Sequence, residues 1–185
     1  MSSDPARNGD MISMLQAVRF AAEQHRDHRR KGQTAAPYIN HPIAVAGQLA
    51  EAGQEHNTPL LMAAVLHDVV EDTETTHEEV RQMFGEEVAS IVREVTDDKS
   101  LSEGDRKKYT VNNIGKKSKN ARLLKLSDMI ANVYDVIHHP PNWSEDRKRR
   151  YFDWSEQVAR AMGGLHAELE ARLSELLAEG RDSLG

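Results

Sequence analysis

The sequence predicts an all-α protein, a single compact bundle of about eight or nine helices. Three observations lead there. Apolar residues, β-branched ones included, recur three and four positions apart. Gly and Pro fall between those segments. No convincing run alternates apolar and polar residues as a half-buried strand would.

Residues 1–9 are polar, with Pro5 and Gly9, and read as a flexible tail ahead of one domain over residues 10–185. From Asp10 a helical pattern runs through Ile12, Leu15, Val18, Ala21 and Ala22 to about Lys31. Residues 32–37 read as a loop. Pro42 stands where a helix begins, followed by Ile43, Val45, Ala46 and Leu49 and stopped by Gly53. Thr58-Pro59 opens the next helix, apolar on every side through residues 60–66 and therefore deep in a core. Thr76-His77-Glu78-Glu79 fits a capping box for a short helix ending near Gly85. Val88, Ile91, Val92 and Val95 form another helical stripe. Residues 101–119 are polar and read as one helix and a mobile loop. Residues 121–138 are helical and stop at Pro140-Pro141. Ser144 caps a helix running to Gly163-Gly164. The last helix spans residues 165–179, with Leu165, Leu169, Leu173, Leu176 and Leu177 on one face. That stripe either closes the core or pairs two copies as a homodimer.

Bulk properties exclude several classes of function. No apolar run reaches the length of a membrane span, and residues 1–9 hold no apolar segment that serves as a secretory signal. There is no cysteine, which removes disulfides and thiolate metal sites and favours the cytoplasm. A net charge of −6 argues against nucleic acid or anionic lipid as the partner. Positive charge is nevertheless clustered, at Arg26, Arg29, Arg30 and Lys31 and again at Arg106, Lys107, Lys108, Lys116, Lys117 and Lys119. These are solvated helix faces, or a few of them converge on a phosphate-rich small molecule.

The chemistry concentrates at the end of the apolar helix, in Leu66-His67-Asp68-Val69-Val70-Glu71-Asp72. On one continuous helix, His67, Asp68, Glu71 and Asp72 fall within an arc of roughly 140°. Three carboxylates beside a histidine at the end of a buried helix repel one another and lose hydration; a cation among them removes that penalty. Further donors stand elsewhere. His41 precedes Pro42 at a helix entry, and Asp128 lies in a helix whose other side carries Leu123, Leu126, Ile130, Val133 and Ile137. Two imidazoles and two carboxylates suit Mn²⁺, Fe²⁺ or Zn²⁺ with room for water. Such a cation lowers the pKa of its water, and Glu71 and Asp72 then serve proton transfer.

His41, then His67-Asp68, then Asp128 follows the H…HD…D order of the HD superfamily of metal-dependent phosphohydrolases. Wider matches are more specific. Arg29-Arg30-Lys31, Pro37-Tyr38-Ile39-Asn40-His41-Pro42, Leu66-His67-Asp68-Val69-Val70-Glu71-Asp72-Thr73, Phe84-Gly85, Glu94-Val95-Thr96-Asp97-Asp98-Lys99, Lys125-Leu126-Ser127-Asp128…Asn132 and Tyr151-Phe152-Asp153-Trp154 resemble the hydrolase domain of the RelA/SpoT family. The resemblance runs from about residue 18 to residue 164. Since 185 residues leave no room for that family's synthetase domain, the chain is similar to the stand-alone small alarmone hydrolases.

The resemblance implies an HD-domain fold and Mn²⁺-dependent hydrolysis of (p)ppGpp at its 3′ position, releasing pyrophosphate and GDP or GTP. On matching positions it implies His41, His67, Asp68 and Asp128 as metal ligands and Glu71 and Asp72 as the acid/base pair. Arg30 and Lys31 would meet phosphates, Asn132 would hold substrate near the metal, and Lys99, Arg106 and Tyr151 would contribute further contacts. The chain departs from the family pattern at Met129, at Tyr134 and over Gly115-Lys116-Lys117-Ser118. Two other readings keep these residues: removal of the NADPH 2′-phosphate, or nucleotide binding without turnover.

Overall fold

The computed structural model describes residues 5–32, 35–54 and 56–185. Residues 1–4, and Gln33 and Thr34 of the expected loop, lie outside the described residues. Ten α-helical segments and no β-strand occur among the described residues. The chain forms two compact units: Met1–His28 with Pro37–Thr96, and Arg29–Ala36 with Asp97–Gly185.

The first unit holds α1 (Pro5–Gln24), α2 (Asn40–Leu49), α3 (Thr58–Leu66), α4 (Val69–Asp72), α5 (His77–Phe84) and α6 (Glu86–Val95). Its core is α3, on which α1, α2 and α6 all pack. Leu60, Ala63, Ala64 and Leu66 have no exposed surface, as an all-round apolar helix requires. Asn57 caps α3 by accepting from the Leu60 N–H, with Pro59 in the first turn. The expected capping box opens α5: Thr76 Oγ1 accepts from the Glu79 N–H while the Glu79 carboxylate accepts from the Thr76 N–H. Gly85, at φ 89°, makes the tight turn between α5 and α6.

Two expectations need correction here. The first helix starts at Pro5 rather than Asp10 and ends at Gln24, well before Lys31. His25 and His28 turn the chain, with the His28 N–H on the His25 carbonyl. The phase of α1 also differs. Met11, Ile12 and Leu15 are 65%, 58% and 62% exposed, whereas Ala17 and Ala21 are fully buried. Small side chains let α1 approach α3 closely, and Leu15 stands about 160° around the helix from Ala17. Contact distance, not side-chain size, chose the buried face.

The second correction concerns residues 60–72. They do not form one helix: α3 stops at Leu66, His67 and Asp68 form a turn, and α4 is a single turn carrying Glu71 and Asp72. This break accounts for ten segments where eight or nine were expected.

The second unit holds α7 (Glu103–Asn113), α8 (Lys119–His138), α9 (Glu145–Met162) and α10 (Ala167–Asp182), with a 3₁₀ turn at Ile114–Lys116. The polar stretch over residues 101–119 is thus a helix and a turn. Ser102, Ser118 and Ser144 cap α7, α8 and α9 by accepting from backbone N–H groups in the following turn. α8 lies against α9 and α10. The leucine stripe of α10 closes this core: Leu169, Leu173, Leu176 and Leu177 are buried.

Helix contact is close at Gly180, where an added Cβ would stand 2.7 Å from Phe152 Cζ and 3.3 Å from Ile137 Cδ1. Alanine gains about 1 kcal/mol in a helix over glycine. Overpacking against a fully buried ring costs about 1–3 kcal/mol. Gly180→Ala should therefore lower the urea midpoint; an unchanged or higher midpoint would show that Phe152 moves aside freely.

Candidate metal centre and phosphate groove

In the first unit, the break after Leu66 decides how the donors point. His67 is 5% exposed, and its Nδ1 donates to the Ala64 carbonyl at 2.7 Å. A carbonyl only accepts, so Nδ1 carries a proton and Nε2 is the ring nitrogen left to face a cation. That Nε2 lies 3.0 Å from Asp68 Oδ2. His41, 4% exposed in the first turn of α2, brings its Nε2 to 3.8 Å from the same oxygen. Tyr38 donates its hydroxyl to Asp68 Oδ2 at 2.6 Å. Two imidazole nitrogens and one carboxylate oxygen thus converge. Adjacent ligands of an octahedral cation with bonds of about 2.1 Å stand roughly 3 Å apart, a spacing that His67 and Asp68 match and that His41, at 3.8 Å, exceeds. A backbone carbonyl behind a ligating histidine is the usual device for setting its tautomer and ring orientation. Glu71 and Asp72 follow one turn later, Glu71 half-buried and Asp72 exposed.

In the second unit, Asp128 is 6% exposed on α8. Its Oδ1 accepts from Asn132 Nδ2 at 2.5 Å and its Oδ2 from Lys125 Nζ at 3.0 Å. Asn132 Oδ1 in turn accepts from the Arg30 guanidinium at 2.7 Å. Arg30 also donates through Nε and Nη2 to Asp135 Oδ2, at 2.9 and 2.7 Å. One chain of charge-assisted hydrogen bonds therefore links Asp135, Arg30, Asn132, Asp128 and Lys125. Burial works against the Lys125 charge, but Asp128 and then Asp97 outweigh it and hold the ammonium above the usual lysine range. Burial, and next the Asp128 charge, push the Tyr151 phenol above its ordinary value, so it remains a neutral O–H.

A cavity of about 180 Å³ opens beside this network, lined by Arg106, Lys125, Asp128, Asn132, Tyr151 and Trp154 among others. Trp154 is held by its indole N–H on the Lys107 carbonyl. Arg106 donates to the Leu101 carbonyl and lies 3.8 Å from Asp97. A larger cleft of about 770 Å³ is lined by Lys31, Trp143, Arg147 and Lys148, with the Arg147 guanidinium 4.4 Å over the Trp143 ring. Of the expected residues, the first unit brings together His41, His67 and Asp68, and the second unit brings together Arg30, Asn132, Asp128, Arg106 and Tyr151. Lys99 is exposed and lines neither cavity, and Lys31 belongs to the larger cleft. The sequence reading gave no role to Asp135, Lys125 or Tyr38. Asp135 had a signal, the i+7 repeat with Asp128, and Tyr38 stood three residues before His41 in the stretch that carries the resemblance.

The sequence profile described as the HD domain matches residues 17–173. The chain belongs to the HD-domain family. It is 43% identical over 167 residues to the zebrafish guanosine-3′,5′-bis(diphosphate) 3′-pyrophosphohydrolase MESH1, covering 90% of this chain and 93% of that one. The human protein of the same name is 42% identical over 168 residues, with 90% and 94% covered. A solved structure described as a metazoan orthologue of SpoT that hydrolyses ppGpp superposes with a TM-score of 0.87 at 37% identity, covering 97% of each chain. The matched residues include the break between α3 and α4 with its His67-Asp68 pair. No described helix is long and apolar enough to cross a membrane.

His25 backs the metal centre. It is 2% exposed, and burial, outweighing the pull of Asp68 and Asp72, holds its imidazole below the usual 6.5; His28 and His67 add to the depression. The unfolded chain binds a proton there that the folded chain refuses. This residue therefore leaves stability intact above pH 6.5 and erodes it as pH falls towards the folded value. His25→Gln should flatten the acid side of the stability profile, read by urea unfolding from about pH 7.5 to about pH 5. An identical slope in both proteins would contradict the assignment.

Proposed function

We propose that this chain is a metal-dependent (p)ppGpp 3′-pyrophosphohydrolase, one HD domain made of both units, acting on cytoplasmic nucleotide with Mn²⁺ as its metal. The observation that carries the reading is the convergence of His41 Nε2 and His67 Nε2 on Asp68 Oδ2, with an acid pair one turn beyond. The names of the relatives supply the substrate. The HD profile spans residues of both units, which supports treating them as one domain.

His41, His67 and Asp68 hold the cation, with Asp128 as the fourth ligand, as the H…HD…D order implies. When bound, the cation lowers the pKa of water and offsets charge at a phosphoryl oxygen. Glu71 and Asp72 take the proton from the attacking water and return one to the leaving nucleotide oxygen. Phosphoryl transfer needs mostly positioning and charge, and the chain supplies both. Arg30, its planar fork already oriented by Asp135 and Asn132, meets a phosphate. Lys31, Lys99 and Arg106 add positive charge around the polyphosphate. Asn132 orients substrate beside Asp128, and the Tyr151 ring, set against Trp143 and Trp154, stacks on or hydrogen-bonds the nucleoside.

A nucleotide panel on chelator-stripped protein refilled with single divalent metals tests this. ppGpp should yield GDP and pyrophosphate only in metal-refilled samples. Asp72→Asn should keep the metal and lose at least about a hundredfold in kcat. Orthophosphate from NADPH with no product from ppGpp would overturn the substrate. Binding of ppGpp without turnover in metal-replete protein would overturn the activity.

A further inference from the structure

We infer that Tyr38 is a positioning residue for the metal-holding carboxylate of Asp68, an inference that rests on the metal centre proposed above. Its hydroxyl donates to Asp68 Oδ2, the oxygen that both His41 and His67 face, at 2.6 Å. A carboxylate oxygen carries two lone pairs, so it can accept Tyr38 on one and serve a cation with the other. The donor is neutral. It fixes the carboxylate without cancelling its charge, as a lysine or arginine in the same place would.

The rest of Tyr38 is arranged to keep that hydroxyl in place. Its ring packs on His25, centroids 4.7 Å apart, and meets the His41 ring edge-on at 6.0 Å. Its backbone N–H donates to the His28 carbonyl, and its own carbonyl accepts from the His41 N–H at the start of α2. One residue therefore sets the register of two ligands, His41 through the backbone and Asp68 through the side chain. Asp68 sits in the turn between α3 and α4, where its side chain does not cap α4. Partners behind the ligands govern metal affinity by about tenfold to a hundredfold.

Tyr38→Phe keeps the ring on His25 and removes only the hydroxyl. Calorimetric titration of the metal-free protein with Mn²⁺ should show an affinity about tenfold to a hundredfold weaker than wild type. The visible absorption of the Co²⁺-substituted protein should shift as the carboxylate reorients, while the urea midpoint of the metal-free protein stays at the wild-type value. Added Mn²⁺ should restore turnover. Equal affinity and identical Co²⁺ spectra would overturn the inference and leave the metal centre standing. A wild-type chain that takes up no divalent cation would overturn both. A Tyr38→Phe chain that fails to fold without metal would overturn the inference too, since the hydroxyl would then serve the fold.

Discussion

The structure turns on the interruption of a buried helix. α3 enters the core with apolar residues on every side, and no polar group could follow on the same axis without losing hydration. Ending it at Leu66 frees His67 to turn its Nδ1–H back onto the Ala64 carbonyl. It also lets Asp68 swing towards His41. The same turn restarts the chain as α4, which carries Glu71, half-buried, and Asp72, exposed. One break thus separates groups that would hold a cation from groups that would handle protons. On an unbroken helix all four would crowd one face and repel.

The second unit solves a different electrostatic problem. A nucleotide with several phosphates needs fixed positive charge, yet cations on flexible stems lose entropy when they order. Here order is built in. Asp135 holds Arg30, Arg30 holds Asn132, and Asn132 with Lys125 holds Asp128. Each member of that series is oriented by its neighbour before any ligand arrives, which is preorganisation in the sense that matters for phosphoryl transfer. Tyr151, kept neutral by burial and by Asp128, can present a ring or a hydroxyl without adding charge.

Much of this was legible in the sequence, and what was not has physical causes. Helix periodicity found the helices that bury an apolar stripe; α7 is polar, with Thr110 as its buried residue, and was read from its flanks as one helix and a loop. Residue chemistry singled out His41, His67, Asp68 and Asp128 as candidates, because imidazoles and carboxylates set among apolar residues lose hydration that a shared cation would restore. The break at His67-Asp68 was invisible: no Gly or Pro marks it, and apolar Val69 and Val70 continue the pattern. The phase of α1 was misread at Ile12 and Leu15 because the small Ala17, which buries less surface than either, shares the packed face with Ala21 and permits a closer approach. The partnerships of Tyr38 with Asp68 and of Arg30 with Asp135 join residues 30 and 105 positions apart, beyond any local pattern.

The central claim is that the two buried imidazoles exist to hold a divalent cation. Pulsed electron paramagnetic resonance on Mn²⁺-loaded protein grown with nitrogen-15 histidine tests it directly. Coupling to the Nε2 nitrogens of both His41 and His67, each lost on substitution of that histidine, is the expected result. Bound Mn²⁺ with no histidine nitrogen coupling would contradict the account.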